Sequence, residues 1–456
     1  MKVVKFGGTS VADAKQILKI FEIVTSDAAR RIVVVSAPGK RHPKDIKVTD
    51  LLIALANAVI AGNPFESDLA AVVERYAEIQ RELDLDPGVV GEIENDLRGR
   101  IGNRSANNAQ FMDTMKAAGE DNCARLVAQV FVKKGVPARY VAPREAGMLL
   151  SEDFGNAQVL PESYVRLASL KDIKEIAIFP GFFGYTLKGE VATFPRGGSD
   201  ITGSIVAAAV KADVYENFTD VDSVYAIDPR IIPDAPAITT LTYRELRELS
   251  YAGFGVFHDE AVIPAVQAKV PICIKNTNRP EAPGTLVVPQ RKYRQGEVIG
   301  IASSGGFSSI YLSKYMMNRE VGFGRRLLQV LEEEKLSFEH APSGIDNMSV
   351  ILRTAALIHD KEAQILNHIR TGLHPDDVTI EHGLALIMIV GEGMRYAVGL
   401  AAKACTALAE AGVNIEMMNQ GSSEISIMFG VKETDRKTAV EALANALLTP
   451  PPQPVC

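Results

Sequence analysis

The last third of the chain repeats itself at a fixed offset, and that repeat limits the folds open to it. Gly322 aligns with Gly399, 77 residues further on. The same offset pairs Leu331 with Leu408, Glu339 with Glu416, Gly344 with Gly421 and Ser349 with Ser426. Upstream it pairs Ile310-Tyr311-Leu312 with Ile387-Met388-Ile389. A segment repeated in register folds as one supersecondary unit made twice, each copy burying an apolar face against its neighbour. Each copy reads strand, glycine-containing turn, helix, strand, strand, which is a small α+β sandwich. The second copy ends after a helix at Leu447-Leu448, and the Pro-rich stretch from Pro450 is a poor source of a further strand. The two copies, placed at residues 299–380 and 381–456, are therefore expected to exchange elements.

Short apolar runs alternate with helical patterns through the first two thirds. Val3-Val4-Lys5-Phe6 reads as a strand and residues 12–25 as a helix. Residues 31–36, 176–180 and 214–218 read as further buried strands. This alternation specifies an α/β architecture, a mostly parallel sheet with helices on both faces. Residues 54–132 are mainly helical and charged and read as a helical insertion beside the sheet. The stretch 280–295, with Pro283, Gly284 and Pro289, reads as the junction to the repeats. Residues 1–290 are thus expected to form one domain.

At 456 residues the chain is too long for one ordinary domain. With 47% hydrophobic and 23% charged residues it has the composition of a globular protein. A net charge of −7 argues against an extended nucleic-acid surface. No apolar run approaches the roughly 20 residues that span a bilayer, and the N-terminus has no signal-peptide layout. Cys123, Cys273, Cys405 and Cys456 are scattered, and the seven histidines lack ligand spacing, so neither a disulfide framework nor a zinc site is indicated. His258 is read as structural. A cytoplasmic enzyme without a membrane or nucleic-acid partner is expected.

Three clusters could carry chemistry. The first is Lys5-Phe6-Gly7-Gly8-Thr9-Ser10, a strand-to-helix turn whose amides and lysine suit a phosphate. Alone, it is equally a tight turn with a solvated lysine. It is not a P-loop, because Gly39-Lys40-Arg41 lacks the hydroxyl residue and the upstream glycine. The second is Arg196-Gly197-Gly198-Ser199-Asp200 before a helix of small residues. Arg196 offers a fork for a carboxylate, Ser199 can cap the helix, and Asp200 could orient a lysine or hold a metal. A capped helix with a surface arginine is the alternative. The third runs from Thr219 and Asp220 through Tyr225 and Asp228 to Arg230, just after an apolar strand. It fails as an EF-hand, since Tyr225 holds the glycine position and Ile231 the final glutamate position. A loop at the carboxyl end of a sheet strand is where open α/β folds bind nucleotides.

Together these clusters resemble the amino-acid kinase superfamily, and the aspartate kinases within it. Lys5 to Ser10 is similar to the family's opening motif. Val35-Ser36-Ala37 with Thr49 resembles its second segment, and Gly119-Glu120 its Gly-Glu motif. Lys275-Asn276-Thr277 and Pro283-Gly284-Thr285 resemble the end of the kinase domain. The tail, with Val390-Gly391-Glu392-Gly393-Met394 and Gln420-Gly421-Ser422-Ser423-Glu424, resembles paired ACT domains. The resemblance covers essentially the whole chain. The departures are Pro38, Asp121-Asn122-Cys123, Pro195 and Asp259-Glu260.

The resemblance implies a three-layer α/β/α kinase domain and two α+β ACT domains. It implies ATP and Mg²⁺ as cofactors, L-aspartate as substrate, and the first step of lysine, threonine and methionine biosynthesis. Lys5, Asp200 and Arg196 would be the catalytic set. Ser36, Thr49, Glu120, Arg196 and Ser199 would bind aspartate. Lys5, Gly7, Gly8, Gly198, Thr219, Asp220, Tyr225, Asp228, Arg230 and Lys275 would bind nucleotide. Met317, Gly322, Phe323 and Glu339 would meet an amino-acid effector, lysine or threonine, in a homodimer formed through the ACT domains. No set of protein metal ligands is assigned. The rivals are a glutamate or acetylglutamate type of kinase and a non-catalytic amino-acid sensor. Without a Rossmann segment after the second repeat, a monofunctional kinase is expected.

Overall fold

The structure, a computed structural model, describes residues 1–254, 259–358 and 360–448. His258 and the stretch from Pro450 lie outside them, as do the side chains of Asp259 and Glu260. The described chain divides into two compact units. The first holds residues 1–224, 237–243 and 259–291, and the second holds 225–236, 244–254 and 292–448. The segment read as one kinase domain, 1–290, is therefore discontinuous in packing. Ile227 and Ala235 are buried in the core of the second unit.

Ten strands belong to the first unit. They are β1 (Lys2–Phe6), β2 (Arg30–Val35), β3 (Ala138–Tyr140), β4 (Ile176–Pro180) and β5 (Phe183–Tyr185). They continue with β6 (Val191–Thr193), β7 (Val214–Thr219), β8 (Thr240–Thr242), β9 (Ile272–Asn276) and β10 (Thr285–Val288). Eight form one sheet in the order β3-β4-β2-β1-β7-β9-β10-β8, parallel except between β9 and β10. β5 and β6 pair as a separate antiparallel hairpin. The central strands read as apolar runs because both faces are covered: Val3, Val4 and Phe6 are fully buried, as are Val33, Val34 and Val35.

The helices of this region are α1 (Ala14–Thr25), α2 (Val48–Ala61), α3 (Glu66–Glu82), α4 (Gly88–Gly102) and α5 (Asn108–Lys133); α1 and α5 pack on the strands, and α2, α3 and α4 pack on α5 and on one another. The Asp13 side chain caps α1 by accepting from the amide of Gln16. Ile17, Ile20 and Ile23 then fall on one buried face. The segment read as an insertion shares the core of the sheet: Leu55, Val72, Tyr76, Leu97 and Phe111 pack in one cluster with Val4, Phe6 and Val35. Two departures from the family pattern tie α5 to α4. Asp121 accepts from Arg100 at 2.7 Å, and Asn122 donates to Asp96 at 3.0 Å.

The second unit contains β11 (Gly300–Ser313), β12 (Asn347–Arg353), β13 (Asp377–Val390), β14 (Met417–Asn419) and β15 (Ser426–Lys432). They form an antiparallel sheet in the order β12-β11-β13-β15-β14. β11 and β13 stand at the repeat offset, and so do the helices Phe323–Glu333 and Leu400–Glu410. The register of β11 shifts between Ser304 and Phe307. Its second half pairs with β12 and the start of β13, whereas Gly300 to Ser304 pair with Val390 to Leu386. The start of β11 thus supplies the strand that the second repeat lacks after its last helix. Two cores follow, one around Ile310, Leu327 and Ile365, the other around Ile387, Leu408 and Phe429.

Candidate active site

The parallel register sets the carboxyl ends of five strands side by side. Phe6 faces Val35 and Phe218, Val35 faces Pro180, and Phe218 faces Lys275. The loops that leave these ends carry most of the chemical residues of the sequence, at the place where open α/β sheets bind ligands. Lys5 is buried, and its Nζ lies 2.5 Å from Asp200 Oδ1. Asp200 sits in the first turn of the helix Gly198–Val210. Asn217, inside the apolar strand β7, donates to the same Oδ1 at 2.7 Å. Among the described residues no group bonds Asp200 Oδ2.

The loops are locked to one another. The Gly7 amide donates to the Phe218 carbonyl at 3.2 Å, and the Gly39 amide donates to the Gly8 carbonyl at 2.8 Å. A Cβ on Gly39 would stand 2.5 Å from the carbonyl carbon of Gly8, so the approach requires glycine. The hydroxyls of Ser10 and Thr277 are 2.6 Å apart, and the Thr277 amide donates to the Thr219 carbonyl. Arg75 of α3, only 5% exposed, donates to the carbonyls of Gly39 and Ile46 at 2.9 and 2.7 Å.

The other end of the site holds a lone acid. Glu120, midway along α5, is 5% exposed, and its Oε2 has no hydrogen-bond partner. Burial pushes its carboxyl up to about 8, against the lowering effects of hydrogen bonds from the Ala37 and Glu120 amides and of the Lys116 charge. A buried acid with an empty oxygen marks a place where a cation can be received. Ala37 follows Ser36, whose amide donates to the Phe6 carbonyl. Thr49 lies in the first turn of α2. Arg196 stands exposed in the turn between β6 and the Gly198–Val210 helix and, among the described residues, pairs with no carboxylate. Gly198 packs so closely that a Cβ would lie 2.5 Å from the Phe182 ring, and Ser199 is buried against Gly181. Phe182 itself has a φ of +74°, a left-handed conformation costly for an aromatic residue.

The remaining candidates are distributed more widely. Thr219 ends β7 and its hydroxyl donates to Asp220, which is exposed. Lys275 is half-buried on β9. Tyr225, Asp228 and Arg230 fall in the second unit, where Arg230 pairs with Asp228 at 2.6 Å and holds its carboxyl below the usual range. Met317 and Phe323 are buried in the first repeat's core, and Gly322 caps the next helix with a φ of +79°. Glu339 pairs with Arg353 at 3.3 Å. The sequence reading missed Asn217, Arg75, Asp113, Lys116 and Thr193. Only Asn217 leaves a signal, as a polar residue inside an apolar strand.

Among the described residues no three His, Cys, Asp or Glu side chains gather closely enough to hold a metal by themselves. Mg²⁺ needs only one or two carboxylates beside substrate phosphates, and the unbonded Asp200 Oδ2 suits that role. No helix of the described chain is long and apolar enough to cross a membrane.

Residues 1–276 match the amino acid kinase family, and residues 387–447 match an ACT domain. Fold and site together define an amino acid kinase whose sequence continues into ACT domains. Over 443 residues the chain is 56% identical to aspartokinase 3 of Bacillus subtilis (strain 168), covering 97% of this chain and 98% of that one. The crystal structure of Clostridium acetobutylicum aspartate kinase, 37% identical, superposes with a TM-score of 0.86 over 98% of this chain and 99% of that one. Escherichia coli aspartokinase III has been solved with aspartate and ADP in the R-state, at 26% identity and a TM-score of 0.78, covering 98% and 99% of the two chains. It has also been solved with lysine and aspartate in the T-state, at 25% identity and a TM-score of 0.75, covering 98% and 100%. The chain belongs to the aspartate kinases of the amino acid kinase family, and the rival of a non-catalytic sensor falls away.

Proposed function

We propose that this aspartate kinase moves the γ-phosphoryl group of ATP to the β-carboxylate of L-aspartate, giving 4-phospho-L-aspartate, with the following residue roles. A carboxylate with an ordinary pKa of about 3.9 is already ionised at neutral pH, so the attack needs no general base. The task is to bring two anions into line and to neutralise charge on the transferred group. Lys5 and the amides of Gly8 and Gly198 meet the phosphates, and Gly7, whose own amide is committed to the Phe218 carbonyl, lets the backbone approach them. Asp200 orients Lys5, and Asn217 orients Asp200. Bound Mg²⁺ would neutralise phosphate charge, held by Asp200 Oδ2 and Asp220. Arg196 grips a substrate carboxylate, Glu120 receives the α-ammonium, and Ser36, Thr49 and Ser199 complete the aspartate site. Thr219, Asp220 and Lys275 serve the nucleotide, and Tyr225, Asp228 and Arg230 keep the nucleotide role implied by their motif.

The observation that carries this reading is the Lys5–Asp200–Asn217 array at the carboxyl ends of β1 and β7. The test is kcat/KM for aspartate and succinate in Arg196→Lys and Glu120→Gln, with nucleotide affinity measured beside it. Arg196→Lys is expected to lose aspartate turnover with ATP binding nearly intact, since an ammonium cannot replace a planar fork. A loss confined to ATP would show that Arg196 is misassigned.

The regulatory reading is lysine feedback on a cytoplasmic homodimer, with threonine as the second candidate effector. The E. coli enzyme crystallised with lysine supports the first choice. Met317 and Phe323 bury their side chains, which leaves main-chain groups beside Gly322, and Glu339, to face an effector. Val321 and Val398, equivalent across the repeat, are 99% and 103% exposed; the homodimer reading rests on the family resemblance and would cover them if it forms through the ACT domains. Inhibition titrations with lysine and threonine, and light scattering of the enzyme, test these points.

A further inference from the structure

Asp113, Lys116 and Glu120 are spaced three and four residues apart on α5, so their side chains share one helix face. Asp113 is 1% exposed. Its carboxylate accepts from the Gly155 amide at 2.7 Å, the Thr193 amide at 2.8 Å and the Thr193 hydroxyl at 2.8 Å. Lys116 Nζ adds an ion pair at 2.8 Å. A buried carboxylate persists only when its lone pairs are met in this way. Thr193 closes β6, three residues before Arg196.

The contacts continue toward the turn. Lys116 Nζ donates to the Thr193 hydroxyl at 3.2 Å and stands 5.7 Å from the centre of the Phe182 ring. The Phe194 amide donates to the Phe182 carbonyl at 2.9 Å. Arg196 has no protein anchor of its own among the described residues, so its place depends on what holds Thr193 and Phe194.

We propose that Asp113 and Lys116 are positioning residues that fix the gap between Glu120 and Arg196, and thereby favour a four-carbon amino dicarboxylate over its five-carbon homologue. The proposal rests on the reading that Glu120 receives the substrate ammonium and Arg196 a carboxylate. Glu120 sits on a long rigid helix, whereas Arg196 sits on a turn. Asp113 joins the two, because one carboxylate on the Glu120 face binds the strand that delivers Arg196. A loose strut lets the fork drift, and a displacement of about 1 Å can cost up to about a hundredfold in rate. The longer substrate then loses less than aspartate does.

The test uses the full chain and the variants Asp113→Asn, Thr193→Val and Thr193→Ser, with Arg196→Lys alongside. KM and kcat are measured for L-aspartate and ATP, and the inhibition constant of L-glutamate is measured against aspartate. In Asp113→Asn and Thr193→Val the aspartate KM should rise by about tenfold or more. Glutamate inhibition should stay level or tighten, and the ATP KM should change by less than the aspartate KM, since Lys5, Gly7 and Gly8 leave from β1 and, of the phosphate-binding groups, Gly198 alone shares the Arg196 turn. Thr193→Ser, which keeps the hydroxyl, should restore aspartate affinity. Equal losses for ATP and aspartate, or an unchanged aspartate-to-glutamate preference, would overturn the strut. Should Asp113→Asn fail to fold, the near-isosteric Thr193→Val decides the matter. If Arg196→Lys leaves the aspartate KM unaltered, the reader assignment fails and the strut with it. If Arg196→Lys raises that KM while both strut variants leave it alone, the strut alone fails.

Discussion

Lys5 Nζ and Asp200 Oδ1 lie 2.5 Å apart, and Asn217 bonds the same oxygen from the neighbouring strand. The lysine is buried, so its charge is held in a fixed direction at the end of β1. A charge held in place need not reorganise when charge shifts on the transferred phosphoryl group, which is the main source of electrostatic catalysis. Lys5→Ala is expected to lower kcat by at least about a hundredfold. Asp200→Asn should also lower kcat while leaving the aspartate KM near wild type. Steady-state kinetics on variants of verified fold give the answer, and near-normal turnover in Lys5→Ala would remove the phosphate assignment.

Glu120 supplies a pH signature. Its folded carboxyl titrates at about 8, raised from 4.5 by burial. The folded state therefore keeps its proton after the unfolded state has lost it. This contribution to stability is full below 4.5 and is progressively lost as pH rises toward 8. Glu120→Gln should flatten the stability-versus-pH curve across that window in urea titrations. The ammonium of aspartate favours the ionised acid, so binding at pH 7 should release a proton. Calorimetry in two buffers of different ionisation heat should show it, and a buffer-independent heat would mean that Glu120 does not receive the ammonium.

Arg30 and Glu216 form a buried bidentate pair, with contacts of 2.6 and 3.3 Å, and Lys2 adds a third contact at 3.1 Å. Their side-chain hydrogen bonds reach none of the site loops, and Arg30 stands 5.6 Å from the centre of the Phe218 ring. Glu216→Ala leaves a buried guanidinium without its carboxylate and should cost about 3–5 kcal/mol of stability. The kcat of the folded variant should stay unchanged. Chemical denaturation and kinetics on one preparation separate the two effects; a fall in kcat without loss of stability would contradict this account.

Two glycines make a paired prediction. Gly39→Ala drives a methyl into the Gly8 carbonyl, so kcat/KM for both substrates should fall by about tenfold or more as the phosphate loop shifts. Gly91 lies inside α4, exposed, with open space within 4 Å of where a Cβ would stand and no positive φ. Gly91→Ala should raise stability by about 0.5–1 kcal/mol through helix propensity alone. Thermal melts and kinetics of the two variants check both halves, and a silent Gly39→Ala would show that the loop contact does not set the site.

Local pattern carried the elements whose cause is local. The strand at Ile176–Pro180 follows from an apolar run ended by Pro180-Gly181, and α1 follows from the Asp13 cap and isoleucines at every third position. The glycines of Lys5 to Ser10 and of Arg196 to Asp200 mark turns because few other residues allow them. By contrast, nothing local says that Asn217 serves Asp200, or that Arg75, on an otherwise ordinary amphipathic helix, holds the carbonyl of Gly39.

Residue order alone settles the α/β class, the duplicated tail and the glycine-marked turns, because periodicity, capping and turn chemistry act over a few residues. Which distant groups meet is settled by packing in three dimensions. Parallel register brings Phe6, Val35 and Phe218 level, which puts the loops after them into contact. Burial then gives Glu120 its raised pKa, Lys5 its fixed carboxylate and Asp113 its hold on the Arg196 strand. The start of β11 completes the second repeat for the same reason: a strand edge takes whichever backbone the packed sheet brings beside it.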